Sequence, residues 1–229
     1  LQDEIREVLY FKGRAPGLLR LVFHDAGTFE ESDQTGGMNG SIIYELDRAE
    51  NAGLKKSLKA WVKSKVDSIC PVSWADLIAV AGAEAVSICG GPNISLRLGR
   101  IDTVSPDPEG KLPDESLDAA AMKRSFRRKG FSVQELVALS GAHTLGSKGF
   151  GDPVVFDNSY YRILLQKPWS SSSSADGMSK MIGLPSDRAL VEDEECRQWI
   201  SNYADDQNLF FNDFKNAYTK LVNNGAVWK

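Results

Sequence analysis

Apolar residues return every three or four positions along most of the chain, the spacing of one helix face, so the chain reads as nearly all helix. Gln2 to Phe11 reads as a charged amphipathic helix, and Leu54 to Ser68 and Trp74 to Ile88 carry the same spacing. Near the end, Phe210, Phe214, Tyr218 and Leu221 form an i, i+4, i+8, i+11 stripe that Asn224-Gly225 stops, and this stripe reads as core. Between these segments, Ile101 to Pro113 is rich in proline and aspartate and reads as a long ordered loop. Trp169 to Gly177 contains a run of serines and reads as a low-complexity surface loop. There is no internal repeat, and the fold class expected is mainly α.

Composition narrows the picture. At 229 residues the chain can bury a large core, as one compact unit or two closely joined lobes. The formal net charge is −4, and no basic block suggests nucleic acid. No apolar run approaches the roughly 18 residues of a membrane span. Three cysteines, Cys70, Cys89 and Cys196, lack metal-ligand spacing and read as reduced thiols in a reducing compartment. For the five tryptophans (Trp61, Trp74, Trp169, Trp199 and Trp228) buried packing is the expectation. The chain starts abruptly at Leu1-Gln-Asp-Glu, with no signal or transit peptide, as expected if a targeting segment has been removed.

Candidate chemistry gathers at the only two histidines, His24 and His143. In the first segment Pro16 fits the first turn of a helix and Gly27 its C-terminal stop. Arg20, Phe23 and His24 then fall at i, i+3 and i+4, so a cation, a ring and an imidazole share one face. On a packed face Arg20 and His24 need a polar partner or a ligand, because an unpaired buried charge is costly. Read alone, the segment is first an amphipathic helix with Arg20 at its edge and His24 hydrogen-bonded in the core. The second segment opens on a capping box, Ser132 with Glu135, and Leu136 and Leu139 continue an apolar face toward Gly141. His143 follows in a Gly-Ala-His-Thr-Leu-Gly turn that can aim a side chain into a cleft. A Ser140–His143 nucleophile pair lacks the Gly-x-Ser-x-Gly elbow that would frame it.

Taken together, Arg20-Leu-Val-Phe-His24-Asp-Ala-Gly-Thr-Phe and Leu139-Ser-Gly-Ala-His143-Thr-Leu-Gly resemble the distal and proximal signatures of the plant, fungal and bacterial haem peroxidases. Further stretches match in order: Glu45 to Leu54, Ser73 to Leu77, Gly90 to Pro92, Pro106 to Pro113, Phe156 to Tyr160 and Leu184 to Asp187. The resemblance covers almost the whole chain and is closest to the class I ascorbate peroxidases, among them the divergent ascorbate peroxidase-related proteins of plants.

That resemblance implies one haem peroxidase unit: a helical distal lobe over about 1–125, a proximal lobe over about 126–229, and haem b enclosed by them. It implies that His143 ligates the iron and that Asp187 accepts its other ring N–H, making the imidazole more basic. It gives His24 the proton transfers of peroxide cleavage, Arg20 the stabilisation of developing negative charge, and Asn51, supported by Glu45, the setting of the His24 tautomer. Pro16, Ser140, Lys148 and Ser186 match haem-contacting positions, with Lys148 a candidate propionate partner. Phe23 stands where class I usually has tryptophan and classes II and III have phenylalanine. The implied partners are hydrogen peroxide and a small reducing substrate, with a ferryl intermediate, in a monomer or weak dimer. The resemblance also suggests a plastid location.

Two features depart from the pattern. The segment between His143 and Phe156 is shorter than in class I, with loss of the proximal tryptophan and of the arginine that binds ascorbate. Lys12 matches a second ascorbate-holding cation, and Phe150 is placed to fill part of the tryptophan's space. Small aromatic donors are therefore expected ahead of ascorbate. Cation sites are the second question. Asp25, Asn39 and Ser41 follow the order of distal calcium ligands, with asparagine where aspartate usually stands; otherwise Asp25 caps the helix end. Thr144, Asp152 and Asp157 are candidates for a proximal K+ or Ca2+. The competing reading is a haem-free relative that kept the fold as a binding or structural module.

Overall fold

The computed structural model describes residues 12–58, 72–166 and 182–229. The expected helix over Gln2 to Phe11, most of that over Leu54 to Ser68, and the serine-rich loop lie outside the described residues, as do Cys70, Trp61 and Trp169. The rest is helical: α1 Ala15–Ala26, α2 Trp74–Ile88, α3 Ala119–Arg128, α4 Val133–Ser140, α5 Ser159–Gln166, α6 Pro185–Glu192, α7 Glu194–Asp205 and α8 Gln207–Leu221. Among the described residues the only β pairing is two isolated bridges, Glu30 with Thr35 and Arg100 with Trp228. No helix among them is long and apolar enough to cross a membrane.

The chain divides into two compact units. The first is Leu1–Leu112 with Tyr218–Lys229, and the second is Pro113–Ala217. In the first, α1 packs on α2. Helix α2 starts where the Ser73 hydroxyl accepts the Asp76 N–H, and it is buried on nearly every side, as a helix that is apolar all round must be. Helix α1 has Pro16 in its first turn, as its fixed φ favours. Gly27 does stop α1, but with φ −73° rather than in the left-handed conformation usual for a terminal glycine. Its glycine identity has a steric reason: a Cβ there would sit 2.5 Å from the Phe23 carbonyl oxygen.

The C-terminal residues are tied into the first unit by Arg100. Its side chain is fully buried and donates to Asp76 at 2.9 Å, to the Val222 carbonyl at 2.8 Å and to Asn223 at 2.9 Å. Trp228 stacks on the guanidinium groups of both Arg97 and Arg100, each 4.6 Å from the ring centre.

In the second unit α7 packs against α4, α5 and α6. The Ser132–Glu135 capping box forms as the sequence predicts. Phe210 and Phe214 are buried, and Phe210 stacks on Phe156 at 5.4 Å, while Tyr218 and Leu221, the other half of the stripe, are buried too. The loop from Ile101 to Pro113 is ordered without regular structure. Cys89 and Cys196 are buried, and burial pushes the Cys196 thiol up to about 12, so it stays protonated and inert.

Asp76→Ala should destabilise the protein by about 3–5 kcal/mol, because it strands a buried guanidinium. Chemical denaturation measures this. A loss under about 1 kcal/mol would show that the remaining carbonyl partners suffice for Arg100.

Candidate active site

In the first unit the pattern at i, i+3 and i+4 on α1 puts Arg20, Phe23 and His24 together. The Phe23 and His24 rings meet edge to face with centres 6.4 Å apart. Arg20 Nε donates to His24 Nε2 at 3.2 Å. The rest of the guanidinium is held by the carbonyls of Ala52 at 2.8 Å and Glu50 at 3.0 Å, so its charge is positioned by backbone oxygens.

Asn51 determines the tautomer of His24. Its Nδ2 donates to the Glu45 carbonyl at 2.9 Å, which turns Oδ1 toward the imidazole. His24 Nδ1 lies 2.7 Å from that oxygen and must therefore carry the proton. Nε2 is left with its lone pair, as the contact from Arg20 also requires. Burial lowers the His24 pKa to about 4, aided by the charge of Arg20 and opposed by the bond to Asn51. The ring is neutral at neutral pH.

Glu45 supports Asn51 as expected, but through its backbone carbonyl. Its carboxylate does something else: Oε1 accepts the Asp107 N–H at 2.7 Å and Oε2 lies 3.1 Å from Arg48. Arg48 also donates to the Asp107 carbonyl. The ordered loop is thereby fastened to the turn that carries Asn51.

The residues expected at a distal cation are engaged as follows. Asp25 is fully buried, and its two oxygens accept the N–H groups of Gly40 at 2.9 Å and Ile42 at 3.0 Å. Asp25 thus caps the turn at Ser41–Tyr44, not the end of its own helix. Burial pushes its carboxyl up to about 7. Asn39 accepts the Ser41 N–H through Oδ1 and donates from Nδ2 to Asp107 at 3.0 Å. An amide in place of a carboxylate removes one negative charge and adds a hydrogen-bond donor, here spent on Asp107. The Ser41 hydroxyl is buried without a hydrogen-bond partner among the described residues.

In the second unit His143 stands in a short 3-10 turn, Gly141–Thr144, directly after α4. Gly141 is required there, since a Cβ would overlap the Tyr161 hydroxyl and the Phe210 ring. His143 Nδ1 is 2.7 Å from Asp187 Oδ1. Asp187 lies in the first turn of α6 and also accepts from the Tyr160 hydroxyl at 2.9 Å and the Leu184 N–H at 2.7 Å. Burial opposes both charges of the pair. Mutual attraction and these hydrogen bonds outweigh it, raising His143 and holding the Asp187 carboxyl below its ordinary value. The His143 side chain keeps 38% of its surface exposed, and Nε2 is the nitrogen left to bind a ligand.

The other expected residues are placed as follows. Phe150 is buried against Tyr160, ring centres 4.7 Å apart. Lys148 is exposed, and Pro16 is half-buried. Ser140 Oγ donates within its own helix to the Leu136 carbonyl at 2.9 Å, which leaves no nucleophile pair with His143. Ser186 is buried, its N–H donating to the Glu115 carbonyl. Thr144 and Asp157 come together at 3.0 Å, whereas Asp152 is exposed and closes a local turn to the Val154 N–H. No group of three or more His, Cys, Asp or Glu among the described residues is placed to hold a metal ion. The side chain of Lys12 lies outside what the structure describes. Sequence reasoning missed Tyr160 as the second donor to Asp187; its only signal was the tyrosine closing Phe156-Asp-Asn-Ser-Tyr160.

A helical chain with one neutral histidine beside an arginine, and another backed by a carboxylate, has the protein parts of a haem peroxidase. Comparison with known proteins agrees. Residues 1–206 match the family model described as Peroxidase. The chain is 66% identical over 230 residues, covering all of it and 69% of the relative, to the Arabidopsis thaliana protein named "Putative L-ascorbate peroxidase 6". It is 36% identical over 262 residues, 98% of it and 70% of the relative, to "Probable L-ascorbate peroxidase 7, chloroplastic" of Oryza sativa subsp. japonica. It is 35% identical over 252 residues, 97% of it and 76% of the relative, to "Putative heme-binding peroxidase" of Mycosarcoma maydis. The chain belongs to the peroxidase family, as a plant ascorbate peroxidase-related, haem-dependent oxidoreductase acting on hydrogen peroxide. The alignment with the Arabidopsis protein is about as long as the chain itself, so that relative shares the shortened segment after the second histidine.

Nitrogen NMR of labelled histidine in the haem-free protein should show His24 neutral and protonated on Nδ1 at pH 6, charging with a midpoint near 4. A midpoint near the ordinary value of about 6.5 would mean that the ring is not held as described.

Proposed function

We propose that His143 would ligate the iron of haem b, that Arg20 and His24 would activate hydrogen peroxide, and that Asn51 and Asp187 position the two histidines. The observation that carries this reading is the opposite tuning of the rings. Each is tethered at Nδ1, yet one is kept neutral and the other electron-rich. The donor set fits haem: Nε2 of His143 is the available nitrogen, and its carboxylate partner raises the basicity of the ligand.

When bound, haem supplies the iron at which peroxide is split and holds the two oxidising equivalents. The chain does the proton work. Nε2 of His24 takes a proton from hydrogen peroxide and returns it to the departing oxygen, which leaves as water. Arg20 offers fixed positive charge as the O–O bond breaks, and its carbonyl partners spare it reorganisation. Asn51 keeps the accepting lone pair on Nε2. Phe23 lines the same helix face without adding a competing base.

Small aromatic molecules are the one-electron donors on this reading, ahead of ascorbate. The support is the segment from Thr144 to Val155, where Lys148 is the only cation. Lys148, exposed, would pair with a haem propionate, and Pro16, Ser140 and Ser186 would help hold the haem. The Thr144–Asp157 pair is the site for a structural K+ or Ca2+, with oxygen ligands that suit a hard cation. A plastid location is supported by the chloroplastic rice relative.

His143→Ala should lose one-to-one haem retention or its ferric ligation; an absorbance spectrum matching the parent would refute the ligand assignment. Arg20→Leu and His24→Leu should keep haem but slow the peroxide reaction by about 10²–10⁴-fold in stopped flow. The same rate should be level above about pH 5 and fall as pH drops through about 4, where His24 gains a proton and can no longer accept one. A rate independent of pH down to about 3 would take the base role from His24.

A further inference from the structure

The second unit contains four described residues with readily oxidised rings, Tyr160, Tyr161, Tyr203 and Trp199, and they stand in single file. The His143 and Tyr160 ring centres are 6.1 Å apart. Tyr160 to Tyr161 is 5.0 Å, Tyr161 to Tyr203 is 5.2 Å, and Tyr203 to Trp199 is 5.9 Å. The three tyrosines are buried, and Trp199 on α7 is half-buried. The phenylalanines packed against this file are Phe150 and Phe210, which are far harder to oxidise.

The phenol partners differ along the file. Tyr160 donates to the Asp187 carboxylate and Tyr203 to the Asp213 carboxylate, both at 2.9 Å. Tyr161, between them, donates to the carbonyls of Val137 and Ala138, which cannot take its proton. A tyrosine loses an electron easily only when its proton has somewhere to go. Tyr160 and Tyr203 are therefore resting points, and Tyr161 is the bridge between them.

We infer that this file conducts electrons from Trp199 to the oxidised haem, making Trp199 a second donor-oxidation site, for phenols or aromatic amines too bulky to reach the haem itself. The inference rests on the haem peroxidase reading above. Electron tunnelling falls off exponentially with distance, so rings in van der Waals contact pass charge by short hops. The balance closes at each step. Tyr160 would give up one electron toward the haem while its phenol proton shifts to Asp187. The vacancy moves through Tyr161 to Tyr203, whose proton shifts to Asp213. Each phenol proton returns when its ring is re-reduced. Trp199 fills the last vacancy and recovers its electron from the external donor, and two such cycles use the two oxidising equivalents of one peroxide.

The test uses haem-loaded protein, one equivalent of hydrogen peroxide and the spin trap 2-methyl-2-nitrosopropane, with haem absorbance followed in the same sample and adducts located by peptide mass mapping. The expected result is an adduct on Trp199 in the parent protein. In Tyr203→Phe and Trp199→Phe that adduct should be lost, with the haem still oxidised by peroxide. Oxidation of a polymer-linked phenol should fall about tenfold or more in Trp199→Phe relative to that of the free phenol. If peroxide oxidises the haem but Trp199 carries no adduct, or Tyr203→Phe leaves its labelling intact, the relay is overturned and the peroxidase reading stands. If peroxide leaves the haem spectrum unchanged, that reading falls and the relay with it.

Discussion

Everything in the chemistry of this chain depends on what is bonded to Nδ1 of its two histidines. Both tethers are 2.7 Å long. One partner is a neutral amide oxygen and the other a carboxylate, and that single difference sends the two rings in opposite directions. An amide can fix a tautomer but cannot pay for a buried imidazolium, so His24 stays neutral with a free lone pair. A carboxylate does stabilise the cation, so His143 becomes the more basic ring and the better metal ligand.

Each tether needs its own scaffold. Asn51 points correctly because the Glu45 carbonyl holds its amide, and the Glu45 carboxylate and Arg48 fasten the loop at Asp107 to the same turn. The loop is thus a strut for the tautomer of His24. Asp187 is held differently. It lies at the positive end of the α6 dipole, accepts the Leu184 N–H and takes a second proton donor from Tyr160, all of which favour the anion in a buried place. The same Tyr160 begins the file of oxidisable rings, which links the tuning of His143 to the proposed path for electrons.

Local chemistry was legible in the sequence where it followed helix periodicity. Arg20, Phe23 and His24 share a face because 3.6 residues make a turn, and Ser132 and Pro16 marked helix starts for reasons confined to one turn. The partners of the histidines were not legible in this way. Asn51 is 27 positions from His24 and Asp187 is 44 from His143, so no local pattern connects them; only resemblance to a family did. The same holds for Arg100, which reaches Val222 across 122 positions. The bond from Asn39 to Asp107 spans 68 positions and was equally illegible: Asn39 keeps the shape of an aspartate while acting as a donor.

The most direct measurement of the central claim is a haem titration of the purified protein, followed by one equivalent of hydrogen peroxide under rapid-scan absorbance. The account predicts saturation at one haem per chain with a histidine-ligated ferric spectrum, then conversion to an oxidised form within the mixing experiment and return on adding a phenol. Absence of stoichiometric binding, or a bound haem that peroxide leaves unchanged, would contradict it and favour a chain that kept the fold without the chemistry.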